Sequence, residues 1–254
     1  DIPVWRYVRE QTRYHPAPDF PGSAADAQWR IVFKWSPVQE LLQFGTDVAN
    51  FYYFLEDAPE EMEALMAAMH RKNLDALELA MAAFPGATVL TLTENTSVTL
   101  ISPALYRRYS LGHVRDYVDL AHRHGKRVVV HMCGLLDALL DCFPETGMDG
   151  IHAVTPPPVG DTFFATVRAR YGDGFSIVGR LNAQLWIGQP RERIRAILEE
   201  LIPPSLVETP FALWATTDEL SPSPDDVRRL EDAVADYNRA LFAPTPAPAS
   251  PARP

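Results

Sequence analysis

The chain has 254 residues, of which 47% are hydrophobic and 22% charged, so it can bury a sizeable core and is not disordered as a whole. Its formal net charge is −10, its isoelectric point is about 5.1 and it has no run of basic residues, which argues against nucleic acid and anionic membranes as partners. Two cysteines are too few for a disulfide framework, no apolar stretch approaches the ~20 residues of a membrane helix, and the first residues lack the features of a signal peptide, so we expect a cytoplasmic protein.

The part of the chain before residue 87 contains one clear helix. Residues 59–84 carry acidic residues in the first turn and apolar residues at i, i+3 and i+4 spacing, which predicts an amphipathic helix. Upstream, residues 29–35 and 48–55 fit either one or two strands or a strand and a short helix.

From about residue 87 onward, strand-like and helix-like segments alternate. Short runs rich in β-branched or apolar residues predict strands at residues 88–93, 127–132, 150–154, 176–178 and 211–215. Helical periodicity and capping residues predict helices at residues 103–124, 135–145, 162–171, 190–201 and 224–241. Successive strands start roughly 20 to 40 residues apart, which is the length of βα units and predicts a parallel sheet.

These units favour a (β/α)8 barrel (TIM barrel) of the α/β class. The alternative, an open doubly wound sheet, normally has a glycine-rich phosphate loop, and the sequence has none. Fewer than eight units are visible, so we expect the barrel to lack one or two N-terminal strands. Residues 243–254 are rich in proline and alanine without apolar periodicity, which predicts an extended, disordered tail.

Side chains that follow the strands of a parallel βα fold surround its functional site. The sharpest pair is His131 and Cys133, in the sequence HMCG. At positions i and i+2 of one strand they are expected on the same face, about two rises of ~3.3 Å apart, a spacing that suits a single zinc ion. The alternative is a hydrogen-bonded histidine and a small buried cysteine. Gly134 then allows a sharp turn.

Acidic residues at two strand ends are candidates to complete this site. Glu94 follows an apolar strand, so it is a candidate third metal ligand, partner of His131 or general base. Asp218 and Glu219 follow the last strand and are equal candidates for the third ligand. The alternatives are capping or an ion pair for Glu94 and plain loop acids for Asp218 and Glu219.

Further polar residues at the strand ends are predicted to bind substrate: Asn95, Thr155, Arg180 and Asn182. The remaining histidines have simpler interpretations. Those in helical segments are expected to be solvated or to cap helices: His70, His113, His122 and His124. His152 is expected to pack in the barrel wall.

Four stretches together resemble one protein family. They are ENTSVTLISPALYRRYSLGHVRDY, HGKRVVVHMCG, the strand end GRLNA and SPSPDDVRRL. They resemble the uroporphyrinogen decarboxylase superfamily, in particular its cobalamin-dependent methyltransferase branch. The resemblance implies a (β/α)8 barrel. We therefore divide the chain into an N-terminal segment of uncertain structure at residues 1–35, a barrel domain at residues 36–242 and the tail.

In the methyltransferase branch, zinc held by an H-x-C pair and a distant cysteine activates a thiol that accepts a methyl group from a methyl-corrinoid. His131 and Cys133 match the pair. The distant cysteine would fall near Ala215 to Asp218, where this sequence has none, so Glu94 or Asp218 would have to complete the site.

The resemblance implies zinc-dependent methyl transfer as the leading hypothesis, with a small-molecule substrate and a corrinoid on a partner protein. The first alternative is cofactor-independent decarboxylation of uroporphyrinogen or a similar polycarboxylate, with Arg9, Arg13 and Arg180 neutralising carboxylates. The second is a barrel that binds a small molecule or a corrinoid protein without catalysis. A homodimer is one option for the oligomeric state.

Overall fold

The computed structural model describes residues 2–14, 30–218 and 220–242, without the side chain of Lys34. Within these residues, six parallel strands form one sheet in which neighbours along the chain are neighbours in space. The strands are β1 (Arg30–Lys34), β2 (Val89–Thr93), β3 (Arg127–His131), β4 (Gly150–Val154), β5 (Ser176–Leu181) and β6 (Phe211–Ala215). All five predicted strands are confirmed, and the sheet has two strands fewer than a complete eight-stranded barrel. The predicted tail lies outside the described residues.

Helices connect the strands. Before β2 they are α1 (Ile2–Gln11), α2 (Pro37–Glu40), α3 (Val48–Asp57) and α4 (Pro59–Ala83), with a π-helical turn at Leu41–Gly45. After β2 they are α5 (Pro103–Tyr109), α6 (Leu111–Arg123), α7 (Phe164–Tyr171), α8 (Arg191–Leu201), α9 (Pro204–Val207) and α10 (Pro224–Leu241). No helix in this described part of the chain is both long and apolar enough to span a membrane.

Serine followed by proline begins three of these helices. The side chains of Ser36, Ser102 and Ser223 accept hydrogen bonds from backbone N–H groups in the first turns of α2, α5 and α10. The following proline has no N–H to satisfy and its fixed φ suits the first helical position. Asp226 completes a capping box with Ser223, so the start of α10 agrees with the prediction.

Two predicted helices differ from the structure. The helix expected at residues 103–124 is divided at Ser110, whose φ of −109° departs from helical geometry. The helix expected at residues 135–145 is replaced by two 3₁₀ turns, Asp137–Leu139 and Phe143–Thr146. Pro144 lies inside that segment and cannot donate the backbone hydrogen bond that a continuous α-helix requires.

The two faces of the sheet have different environments. Along β3, Val128 and Val130 are fully buried against the helices, whereas His131 on the opposite face is half-buried. On that second face, the lumen face, Val32 of β1 and Trp214 of β6 are 50% and 43% exposed. A closed barrel fills its lumen with packed side chains, so the six-stranded sheet leaves this face accessible.

A histidine cluster joins α4 to α6. The rings of His70 and His113 stack with centroids 4.3 Å apart. His70 is buried and hydrogen-bonds through Nε2 to Asp116 and through Nδ1 to the Tyr117 hydroxyl. The expectation that these two histidines are solvated or capping is therefore wrong, because the helix faces that carry them pack against each other. His122 and His124 lie at the surface, paired with Asp149 and Glu78.

We predict that the His70–His113 contact makes the protein sensitive to acid. Burial and the nearby His70 lower the pKa of His113 from 6.5 to about 4. Between these values the unfolded chain binds a proton that the folded chain excludes, so the free energy of unfolding falls as the pH drops. Relative to His113→Leu, the wild type should lose on the order of 2 kcal/mol between pH 7 and pH 4 in urea unfolding. His124→Leu is the surface control, and equal pH dependence in wild type and His113→Leu would contradict the prediction.

Candidate active site

The carboxyl ends of the strands bring the predicted site residues to one rim. Glu94 and Asn95 follow β2, Cys133 follows His131 at the end of β3, and Thr216 follows β6. Strained backbone marks the same rim: Trp35, Ala153 and Asp218 have positive φ without being glycine, a conformation that costs about 1–3 kcal/mol and is common at functional sites. Gly134 also has a positive φ, of 87°, which confirms the sharp turn expected there.

Glu94 is buried at this rim and is held by hydroxyl groups. Its carboxylate accepts hydrogen bonds from the Ser36 N–H at 3.2 Å, the Ser36 hydroxyl at 2.9 Å and the Thr96 hydroxyl at 3.1 Å. The Ser36 oxygen in turn accepts from the N–H of Gln39 at 3.2 Å. Glu94 therefore orients the serine that caps α2 and links the ends of β1 and β2. Burial raises the pKa of Glu94 to about 7.

His131 contacts a second histidine that sequence reasoning assigned to the barrel wall. The Nδ1 atoms of His131 and His152 are 2.7 Å apart, and the two ring centroids are 4.9 Å apart. The parallel register of β3 and β4 pairs these two residues directly. Burial lowers the pKa of both: for His131 the nearby Arg180 adds to the effect, and His152 falls to about 4 with help from His131 and Arg30. Both rings are therefore neutral at pH 7.

Cys133 is half-buried and is fixed by an amide. Its backbone N–H and its thiol both donate to Oδ1 of Asn95, at 3.0 and 3.1 Å. Asn95, predicted to bind substrate, thus orients Cys133 from the neighbouring strand end. Within the part of the chain that the structure describes, the thiol makes no other hydrogen bond.

The lumen face contains a cavity of about 550 Å³. His131, His152 and Trp214 form one side of it, with the Trp214 ring centroid 4.9 Å from that of His152 and 6.3 Å from that of His131. Its other lining residues are Arg30, Val32, Thr91 and Thr93. The cavity therefore combines two imidazoles, a large aromatic ring, two hydroxyls and one guanidinium.

Arg180 and Asp218 neutralise each other beside this cavity. Their side chains form an ion pair, Nε of Arg180 donates to the Thr216 hydroxyl at 3.2 Å, and Asp218 accepts from the N–H of Ala183 at 3.3 Å. Arg180 is a predicted substrate-binding residue and Asp218 a predicted catalytic residue. Here each has the other as its charged partner.

Thr155 and Asn182, also predicted to bind substrate, are completely buried. The Thr155 hydroxyl donates to the carbonyl of Ala153 at 2.8 Å, and the Asn182 amide donates to the carbonyl of Pro156 at 3.3 Å. Neither side chain lines the cavity. These contacts hold the loop that follows β4.

The structure does not bring together the predicted metal ligands His131, Cys133 and Glu94. Across residues 2–14, 30–218 and 220–242, no three histidine, cysteine, aspartate or glutamate side chains are placed to hold one metal ion. Glu94 is buried and its oxygens are occupied by Ser36 and Thr96, so it is unavailable. A catalytic zinc takes three protein ligands. His131 and Cys133 have the donor chemistry that zinc prefers, but the described residues do not complete a zinc site, and the candidate ligand Glu219 lies outside them.

Five cavity residues that can contact a ligand were missed as functional candidates: Arg30, Thr91, Thr93, His152 and Trp214. A signal existed for His152, because Ile151 and Ala153 flank it in a five-residue strand and period-2 alternation places it on the opposite face. Trp214 occupies the same kind of position in FALWA, between Leu213 and Ala215. Arg30 begins a strand whose existence the residues alone left open.

Comparison with known proteins identifies a family and a fold. The family description that matches is uroporphyrinogen decarboxylase (URO-D), over residues 33–209, which is more than half of the chain. No curated protein sequence matches.

A methyltransferase from Methanosarcina mazei has a similar structure, with a TM-score of 0.59 at 16% identity, over 93% of this chain and 64% of that chain. This chain therefore spans less than two thirds of the length of that protein, and at this identity the likeness concerns the fold. The IolI protein with a binding zinc atom gives a TM-score of 0.38 at 9% identity, over 84% of this chain and 99% of that chain. That likeness is too weak to bear on fold or function.

We predict that the hydrogen bonds of Glu94 to Ser36 and Thr96 stabilise the fold, and that this stability depends on the protonation of Glu94. Glu94→Ala would leave the Ser36 and Thr96 donors unpartnered and should lower the free energy of unfolding by about 3 kcal/mol. Glu94→Gln keeps the shape of the side chain and one acceptor oxygen, so it should lower the free energy of unfolding by less than Glu94→Ala does.

Because the pKa of Glu94 is raised from 4.5 to about 7, the folded wild type retains a proton that the unfolded chain releases between these values. Wild-type stability therefore falls as the pH rises through this window. Urea unfolding should show Glu94→Gln gaining stability relative to wild type from pH 4.5 to pH 7. A constant difference across that range would contradict the prediction.

Proposed function

We propose that this chain, which belongs to the uroporphyrinogen decarboxylase family, forms the catalytic part of an enzyme that transfers a methyl group from a methyl-corrinoid to a thiol. The observation that carries the proposal is the position of His131. It lies on the wall of the lumen cavity, its Nδ1 contacts His152, and its Nε2 has no hydrogen-bond partner among the described residues. The likeness to the methyltransferase fold supports the same reaction class.

The residues of the cavity suit such a reaction. The acceptor thiol would lie beside the Nε2 atom of an imidazole, which can accept the S–H proton. Trp214, Thr91 and Thr93 would hold the rest of the small molecule. In the transfer itself, the thiolate sulfur forms a bond to the methyl carbon, the carbon–cobalt bond breaks, and its electron pair stays with the corrinoid. The partner protein that carries the corrinoid would approach the exposed side of the lumen face.

Zinc at this site would supply a Lewis acid that lowers the pKa of the thiol. His131 and Cys133 would hold it, and they are one ligand short of a typical catalytic site. The proposal therefore places activation of the thiol on the imidazoles of the cavity.

The decarboxylase alternative has less support from the geometry. Arg9 pairs with Glu40, Arg13 donates to the backbone carbonyls of Glu10 and Thr12, and Arg180 pairs with Asp218. None of the three lines the lumen cavity. Arg30 is the one arginine among the cavity residues, so a substrate with several carboxylates would find little compensating charge there.

We predict that the protein demethylates methylcobalamin in the presence of 2-mercaptoethanol. Mass spectrometry should detect the methyl thioether, and the methyl-corrinoid absorbance should decrease in parallel. His131→Ala should reduce the rate on the order of 10²-fold, as expected for loss of a proton-accepting group. His124→Ala, at the surface, is the control and should retain the wild-type rate. Release of CO₂ from uroporphyrinogen without thioether formation would favour the decarboxylase alternative, and binding without turnover would favour a non-catalytic barrel.

We further predict substoichiometric zinc in the purified protein. Elemental analysis of wild type, His131→Ala and Cys133→Ala should give well below one zinc per chain in all three, because the part of the chain that the structure describes offers only two ligands, too few to retain the ion. One zinc per chain in wild type that disappears in both variants would contradict this prediction and would support zinc-dependent activation of the thiol.

A further inference from the structure

The contact between His131 and His152 restricts which of their ring nitrogens can carry a proton. Two nitrogen atoms 2.7 Å apart repel each other if both carry lone pairs, and they clash if both carry hydrogens. One Nδ1 must therefore donate a proton to the other. In neutral imidazole only one ring nitrogen is protonated. The donor ring then has a lone pair at Nε2, and the acceptor ring has an N–H at Nε2.

We propose that His131 and His152 act as one unit that shares a single proton and offers the cavity one lone pair and one N–H. This makes His152 a second proton-transfer residue of the site. The inference deepens the proposed function, because it names the proton acceptor for the thiol and the class of ligand that fits. It also stands on the geometry of the pair alone, whichever reaction the cavity supports.

The environment favours this neutral form of the pair. Both rings are partly withdrawn from water against Trp214, and the charged side chain that lines the same cavity is the guanidinium of Arg30. No carboxylate contacts either ring in the described part of the chain. An imidazolium would have no negative partner here, and burial of an unpaired charge is costly.

A shared proton allows transfer without creating that charge. The S–H proton of a bound thiol moves to the Nε2 lone pair of the first ring, the Nδ1 proton of that ring moves to Nδ1 of the second, and the Nε2 proton of the second moves to water. One proton enters the pair and one leaves. The two rings exchange tautomers, the pair stays neutral, and the thiolate remains in the cavity.

The same arrangement selects among ligands. A thiol, an alcohol or an amide edge carries both a donor and an acceptor, so it can satisfy the lone pair and the N–H together. A carboxylate has acceptors only and would place an oxygen lone pair against a nitrogen lone pair. The pair therefore fits a neutral protic ligand, which agrees with a thiol acceptor and disagrees with a polycarboxylate.

Nitrogen-15 NMR of the ring nitrogens in the metal-free protein at pH 7.5 tests the pair directly. In wild type we expect one of the two rings in the Nδ1–H form and the other in the Nε2–H form. In His131→Phe and His152→Phe the remaining ring loses its partner and, in one of these variants, should change from Nδ1–H to the Nε2–H form that prevails in water.

Trp214→Phe is the matched control, because it changes the packing of both rings without removing a ring nitrogen. It should leave the two tautomers as they are in wild type. Two Nε2–H rings in wild type, or tautomers that respond to Trp214→Phe as strongly as to His152→Phe, would overturn the proposal.

Ligand selection has its own test, with ethanethiol and ethyl methyl sulfide as probes that differ only in S–H against S–CH₃ and carry no hydroxyl group. We expect the thiol to shift the Nε2 resonances at about tenfold lower concentration, the effect of one additional hydrogen bond. Equal effects of the two probes would contradict the ligand class. If the tautomers are as expected but methylcobalamin is not demethylated, the proposed methyl transfer fails and the shared-proton pair stands.

Discussion

Parallel register is the constraint on which the site depends. Because β2, β3 and β4 run in the same direction, their register pairs Thr93 with His131 and His131 with His152. Side chains at one level of the sheet and on one face are then neighbours. This register brings two imidazoles from separate βα units within hydrogen-bonding distance, and it places Trp214, two strands further along, within ring contact of both.

The rim holds its polar groups without exposing free charge. Glu94 is buried among hydroxyls with a pKa of about 7, Asp218 pairs with Arg180, and the two lumen histidines are neutral. Each arrangement avoids an isolated buried charge, which would be costly in a low-dielectric environment. The cost of a buried charge also bears on the proposed proton transfer. A neutral hydrogen-bonded pair of imidazoles can pass a proton on, whereas a single imidazole would have to become charged.

Much of the fold could be predicted because its signals are local. An apolar strand or a serine-proline cap is recognised from a few consecutive residues. The predicted strands at 150–154 and 211–215 match the structure at both ends. The contacts within the site were harder to predict. His131 and Cys133 were identified from the strand end, but the contacts of Glu94, Asn95 and Arg180 are made with residues that follow other strands: Ser36, Cys133 and Asp218.

The sequence by itself determined the class of fold, the rim at which polar residues collect and the H-x-C pair at the end of β3. Only the tertiary structure decided which of these side chains meet. The Glu94 carboxylate contacts Ser36 instead of His131, and the His152 ring lies on the lumen face of the sheet. The physical reason is that a single strand fixes which face a residue takes, whereas contacts between strands depend on register and on the helices that pack behind them.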